Sequence, residues 1–307
     1  MKSLVSLIVI GIIVTSCSFQ KPSKNTTSIY VVPHPDDWQL FMNPNASYSI
    51  KNPDEKVLFF HITSGDAGKG TGYNKYYLAR EKGSLKALRF VSNTFTSGAR
   101  LGPNMHEKVV KFDGHRIKKY TYRNIVAYFL RLPDGNVDGS GFSKFDFVSL
   151  QKFYEGTATS LPTIDNRTKY TSPEDLKETL KSIIQLECAD SEIVKFNLPD
   201  ENTATHPDHI YSSKIFQEVA GTLDNRSITL NLYRDYDTDT MPQNVFGYDF
   251  LISAATWGVT TSELSDNFHY STWDSLHNSW IGKQYFETLT LSQKNFSPTD
   301  SSGFTVN

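Results

Sequence analysis

Short, almost uninterrupted apolar runs alternate along this chain with stretches of helical spacing. IYVV (29–32), KVLFFHIT (56–63), RNIVAYFLRL (123–132) and EIVKFNL (192–198) read as strands, most of them rich in β-branched and aromatic residues. Between them, residues 74–91 place Tyr77, Leu78, Leu85, Leu88 and Val91 on one side of a helix. A second helix opens at Ser172 as N-cap, with Pro173 at the first helical position and Asp175 three residues after the cap. A third follows at 210–221. Strands alternating with helices give an α/β domain with a largely parallel sheet. At 307 residues and 38% apolar, the chain has enough material for a full core in one large domain or two modest ones.

The strand at 29–32 ends abruptly in PHPDD, and the one at 192–198 is followed by PDENTATHPDH. An imidazole beside adjacent carboxylates is costly to desolvate unless a cation sits among the oxygens, so His34, Asp36 and Asp37 point to a metal ion. Both motifs come after a strand and open a helical stretch. In an open α/β sheet such positions gather at the carboxyl edge of the strands, so the two motifs are expected to face each other. His34, Asp37 and His209 together supply two imidazoles and one carboxylate, a set that leaves a position open for water as in a catalytic zinc site. The metal would polarise a carbonyl and lower the pKa of its water. Asp36 is placed to take the proton from that water and pass it to a leaving group. His206, held by Asp208, would stabilise the developing oxyanion. The parts add up to metal-assisted hydrolysis of an amide or ester.

PHPDD with a distant HPDH resembles the LmbE and PIG-L family of zinc-dependent de-N-acetylases. Further matches come in order: TSGDAG (63–68), ARE (79–81), LPDG (132–135) and, more weakly, YRDY (233–236). The resemblance implies a Rossmann-like three-layer α/β/α fold and removal of an acetyl group from an N-acetylglucosaminyl glycoside or glycolipid. It implies zinc, with ferrous iron as the alternative, held by His34, Asp37 and His209. It makes Asp36 the general base and His206 the transition-state stabiliser oriented by Asp208, with Arg80 and Asp134 contributing to the sugar pocket. Residues 136–171 and 243–307 carry no family motif, and substrate selection is expected there. The competing readings are a non-catalytic glycan binder on the same fold and a metal-dependent hydrolase of another amide or ester. A pure binder would have no need of Asp36.

LVSLIVIGIIV (4–14) is short for a bilayer span but the right length for the centre of a signal peptide. VTSC (14–17) resembles the lipobox of bacterial lipoproteins, which implies lipid attachment at Cys17 and a place on the cell envelope, the outer membrane or periplasmic face in preference to the cytoplasm. Residues 18–28 read as a tether, 29–290 as the enzyme domain and 291–307 as a polar tail. Cys188, at the end of a helix, reads as a small buried residue. A net charge of -2 leaves no electrostatic footprint for nucleic acid. GDAGKG fails as a phosphate loop for a nucleotide, because Thr63 and Gly70 stand where Gly and Ser or Thr are required. DYDTDT (235–240) lacks the glycine of a calcium loop and reads as a solvated acidic turn, and 273–289 as an amphipathic helix that packs Trp273 and Trp280 into the core. His61, His106, His115, His269 and His277, with Glu81, read as structural or surface groups.

Overall fold

The computed structural model describes residues 25–95, 105–291 and 304–306. Strand β1 (Thr26–Val32) leads into helices α1 (Asp37–Phe41) and α2 (Asn45–Lys51), then β2 (Glu55–Thr63) and the long helix α3 (Tyr76–Thr94). A hairpin of β3 (His106–Phe112) and β4 (His115–Tyr122) precedes β5 (Ile125–Leu132) and α4 (Leu150–Tyr154). A small ribbon, β6 (Leu161–Pro162) with β7 (Lys169–Tyr170), is followed by α5 (Pro173–Glu187), β8 (Ile193–Pro199), α6 (Pro207–Gly221) and β9 (Ser227–Tyr233). The chain closes with α7 (Gly247–Asp266), α8 (Ser275–Asn278), β10 (Phe286–Leu291) and β11 (Phe304–Val306).

The main sheet runs β11-β10-β9-β8-β1-β2-β5-β4-β3. Its five central strands, β9 to β5 in that order, pair in parallel, and an antiparallel ribbon extends each edge. Parallel strands need crossovers that cover both faces, and β5 accordingly is buried at every position. Side-chain alternation divides the core into two layers. Ile29, Val31, Leu58 and Phe60 face α5 and α6, whereas Tyr30, Val32, Val57 and Phe59 face α2 and α3. The result is a three-layer α/β/α arrangement. Ser172 caps α5 as its sequence indicates, accepting the Asp175 N–H at 3.1 Å, and Cys188 ends that helix fully buried.

Three boundaries differ from the sequence reading. The tether expected up to residue 28 ends sooner, because Thr26, Thr27 and Ser28 already pair with β2 and β8 and Ser28 Oγ donates to Glu55. The helix expected over 273–289 is instead the four-residue α8, capped by Asp274, then a turn at Gly282 (φ +85°), then β10 paired with β9. The expected tail contains β11, which pairs with β10. No described helix is long and apolar enough to cross a membrane, and the signal segment with Cys17 lies outside the described residues.

What places the site is strand order. The chain leaves β1 toward β2 and β5 on one side and later returns to β8 and β9 on the other. Between β1 and β8 the winding reverses, and loops leaving their carboxyl ends part around a crevice. PHPDD follows β1 and HPDH follows β8.

Candidate metal centre and active site

Proline ends β1 because it has no N–H to continue a ladder. The Pro33 carbonyl instead accepts the Thr63 N–H at 2.9 Å and the Thr63 hydroxyl at 3.0 Å. The chain then turns, with the Asp37 N–H on the His34 carbonyl at 3.2 Å and the His34 N–H on Asp37 Oδ2 at 2.6 Å. This second bond draws the carboxylate to the His34 ring. At α6, Pro207 sits in the first turn and His206 is the cap, its Nδ1 accepting the Asp208 N–H at 3.1 Å.

Three ligand atoms converge beneath an open cavity. His34 Nδ1 lies 3.2 Å from His209 Nε2 and 3.5 Å from Asp37 Oδ2, and His209 Nε2 lies 3.3 Å from Asp37 Oδ2. Bonds of about 2.0–2.1 Å to a tetrahedral ion would set its ligands roughly 3.3 Å apart, so these donors stand along the edges of such a polyhedron. Each imidazole is backed by a carboxylate on its far nitrogen: His34 Nε2 on Asp208 Oδ2 at 3.2 Å, His209 Nδ1 on Asp235 Oδ2 at 2.7 Å. A proton donated outward leaves a lone pair on the inward nitrogen, the tautomer a metal needs. Electrostatics agree. Burial disfavours charge on His34, yet Asp37 and the Asp208 hydrogen bond outweigh it and hold its pKa well above normal. His209 is raised likewise against burial, by Asp37 and Asp235. Burial also opposes ionisation of Asp37, but the two imidazoles hold its carboxyl well below the usual range. A field that favours a proton at this point favours a metal cation, and the donor set fits one.

A neighbouring group, His34, Asp134, His206 and Asp208, also brings its ligand atoms within 4.8 Å of one another. Several of its donors are engaged elsewhere, Asp208 Oδ1 being a buried exception without a partner among the described residues. Asp208 Oδ2 accepts from Gly135 N at 2.9 Å as well as from His34, Asp134 accepts from Ala67 N and Asn136 N, and His206 Nδ1 holds the α6 amide. The first group is therefore the better metal site.

Residues 29–220 match PIG-L, the GlcNAc-PI de-N-acetylase family. The chain belongs to that family. Among solved structures it is similar to N,N'-diacetylchitobiose deacetylase from Pyrococcus horikoshii in complex with its inhibitor MPG, with TM-score 0.43 and 15% identity over 78% of this chain and 70% of that one. It is also similar to the zinc-inhibited form of teicoplanin deacetylase Orf2, with TM-score 0.39 and 12% identity over 78% of this chain and 83% of that one. Comparison with curated proteins gives no match.

The remaining PIG-L motifs meet around a cavity of about 580 Å³ whose lining includes His34, Asp36, Asp37, Arg80, Asp134 and His206. Arg80 Nη2 donates to Asp36 Oδ1 and Nη1 to the Gly65 carbonyl. Gly65 has φ +52°, and a Cβ there would fall 2.3 Å from Arg80 Nη1, so TSGDAG needs glycine at this point for both reasons. Asp36 outweighs burial and raises the Arg80 pKa, keeping the guanidinium charged. Arg80, expected to reach the sugar or help shape its pocket, lines the cavity, and its two hydrogen bonds also make it the clamp on Asp36. Glu81, the next residue, forms a buried two-pronged pair with Arg131, which also binds Asp165.

Two further expectations are corrected. Asp208 holds His34, not His206, through its carboxylate, and its bond to His206 comes from its backbone N–H. The structure makes Gly135 of LPDG the partner of this arrangement, since a Cβ there would lie 2.4 Å from Asp208 Oδ1. The acidic turn at 235–240 is not wholly solvated: Asp235 is buried on His209, and Tyr236 Oη approaches His209 Nε2 at 3.5 Å. Only the weak YRDY match hinted at either. His277, read as structural or surface, lines the cavity; Trp280 is buried with Leu40, Phe41 and Trp257 as expected and lines the cavity too, whereas Trp273, also expected in the core, is exposed.

Proposed function

We propose that this PIG-L chain hydrolyses the acetamide of an N-acetylglucosaminyl glycoside or glycolipid, with zinc or ferrous iron held by His34, Asp37 and His209. The observation that carries the reading is the pair of carboxylate-backed imidazoles converging on Asp37, with Asp36 beside them in the cavity. A divalent ion held there supplies Lewis acidity toward water and toward a carbonyl. Asp36 Oδ1 is taken by Arg80, while Oδ2 has no partner among the described residues and accepts the proton of the attacking water. The same oxygen then returns that proton to the amide nitrogen as the carbon–nitrogen bond breaks, giving acetate and an amine. His206 has its pKa lowered to about 4 by burial first and by His34 next, so it is neutral at pH 7. Its Nδ1 is an acceptor, which puts the proton on Nε2 as the donor for the carbonyl oxygen as negative charge develops.

We place the protein on the cell envelope, lipid-anchored at Cys17, on the lipobox resemblance. Membrane fractionation checks this: Cys17→Ser should abolish lipid labelling, and a variant processed and attached as before would refute the anchor. The chemistry is tested by acetate release from N-acetylglucosaminides with and without chelator. Turnover should stop on metal removal and return on adding zinc or ferrous iron. His209→Ala should lose most of the bound metal by elemental analysis, since one of three protein ligands is gone. Metal content equal to the parent would refute the assignment.

A further inference from the structure

An amide oxygen that becomes an oxyanion needs hydrogen-bond donors beside the ligand set, and few in the cavity lining are unspent. Arg80 is engaged by Asp36 and Gly65, Asn136 Nδ2 donates to Ser140 Oγ at 3.1 Å, and Trp280 Nε1 donates to the Tyr236 carbonyl at 3.0 Å. The Tyr236 phenol is placed differently. Its Oη has one partner among the described residues, His209 Nε2 at 3.5 Å, and that nitrogen is the one facing His34 and Asp37. Because His209 Nδ1 donates to Asp235, Nε2 carries the lone pair and the phenol is the donor. An ion held by His209 takes that lone pair. The O–H is then left on the cavity wall, beside the ligand set, without an acceptor.

Packing fixes where the ring stands. The Tyr236 N–H bonds Asp235 Oδ1 at 2.5 Å, and the ring stacks on Trp280 at 5.2 Å and 27° and meets Phe41 edge-on at 5.6 Å. A phenylalanine would make the same ring contacts, so the hydroxyl is a polar atom that packing does not use. Tyr236 and His206 both pack against the His209 ring, at 5.0 and 5.5 Å, and stand 6.4 Å apart at 82°. We infer that Tyr236 Oη is a second donor to the oxyanion, acting with His206 Nε2. This rests on the deacetylase reading above and adds to it a catalytic residue from beyond residue 220, where the PIG-L match stops. As water adds to the acetamide carbon, a carbon–oxygen bond forms and the carbonyl π pair moves onto its oxygen. The phenol donates a hydrogen bond to that oxygen and keeps its own proton. When the carbon–nitrogen bond breaks, the pair re-forms the carbonyl and the proton held by Asp36 goes to the nitrogen.

Tyr236→Phe removes the hydroxyl and leaves the ring on Trp280 and Phe41, so the variant should fold, which its urea midpoint checks. Zinc-loaded parent and variant are compared by acetate release from methyl N-acetylglucosaminide, and the cobalt-loaded forms by acetate binding, read from visible absorption. Tyr236→Phe should lower kcat about 100-fold, the weight of one oxyanion donor, with KM changed by less than about twofold. It should weaken acetate binding about tenfold, as the loss of one hydrogen bond to an anionic oxygen. Metal affinity, read by competition with a chromogenic chelator, should change by less than about threefold. Parental kcat or parental acetate affinity in the variant would overturn the inference. Metal affinity lowered about tenfold or more would make the phenol a ligand and overturn it too. A parent that releases no acetate from the glycoside, yet binds acetate about tenfold more tightly than Tyr236→Phe does, would support the donor and refute the deacetylase reading instead.

Discussion

Asp36 and Asp37 are neighbours in sequence but are held by different charges. Asp37 lies between two imidazoles, and Asp36 faces the cavity under the Arg80 clamp. Asp36→Asn should therefore keep the metal and the fold while lowering kcat by about 100- to 10,000-fold, the usual weight of a positioned acid–base group. Steady-state kinetics beside elemental analysis check this, and parental turnover would remove Asp36 from the mechanism. Asp235→Ala should act by another route. It removes the group that orients His209 and should weaken metal affinity about 10- to 100-fold, read by competition with a chromogenic chelator. The PHPDD and HPDH residues were legible in the sequence because their chemistry is concentrated within a few positions. Asp235 was not, since Asp237 and Asp239 beside it look the same, and only the packing of α6 against the end of β9 decides which one is buried.

At the scale of elements, α3 and α7 cross closely where Gly83 meets the Thr260 carbonyl. A Cβ on Gly83 would lie 2.9 Å from that oxygen and 3.3 Å from Thr260 Cγ2. Alanine is the better helix former by about 1 kcal/mol, but forcing apart a packed pair costs about 1–3 kcal/mol. The clash should win: Gly83→Ala should lower the urea midpoint, and a rise would mean the helices separate freely. The stripe on α3 was readable from spacing, with Tyr77, Leu88 and Val91 buried as expected. Helix α7 was not, because its buried face is built from Ser253, Thr256, Thr260 and Thr261 as much as from Ile252, Trp257 and Leu264. Hydroxyls that bond back to their own helix, as Thr256 and Thr260 do, carry no apolar signal.

For the molecule as a whole, His61 links stability to acidity. Its ring is fully buried on Phe129 at 4.1 Å, its Nε2 meets Ser84 Oγ at 2.8 Å, and burial pushes its pKa down to about 3. An unfolded histidine titrates near 6.5, so between about pH 6.5 and 3 the unfolded chain binds a proton that the folded one refuses. Stability from this residue is complete above that window and is lost on acidification through it, by up to about 1.4 kcal/mol per pH unit. Urea unfolding from pH 7 to 4 should show a steeper loss for the parent than for His61→Gln, and equal slopes would contradict the linkage. The sequence by itself determined the α/β class and the metal-ligating residue types, because periodicity and side-chain chemistry are local properties of the chain. Tertiary structure alone decided that Asp208 serves His34, that Asp235 serves His209, and that the segment carrying Asp239 and His277 closes the cavity. Those pairings are distances between loops, set by the order β9-β8-β1-β2-β5 and its reversal beside β1, and no local pattern encodes them.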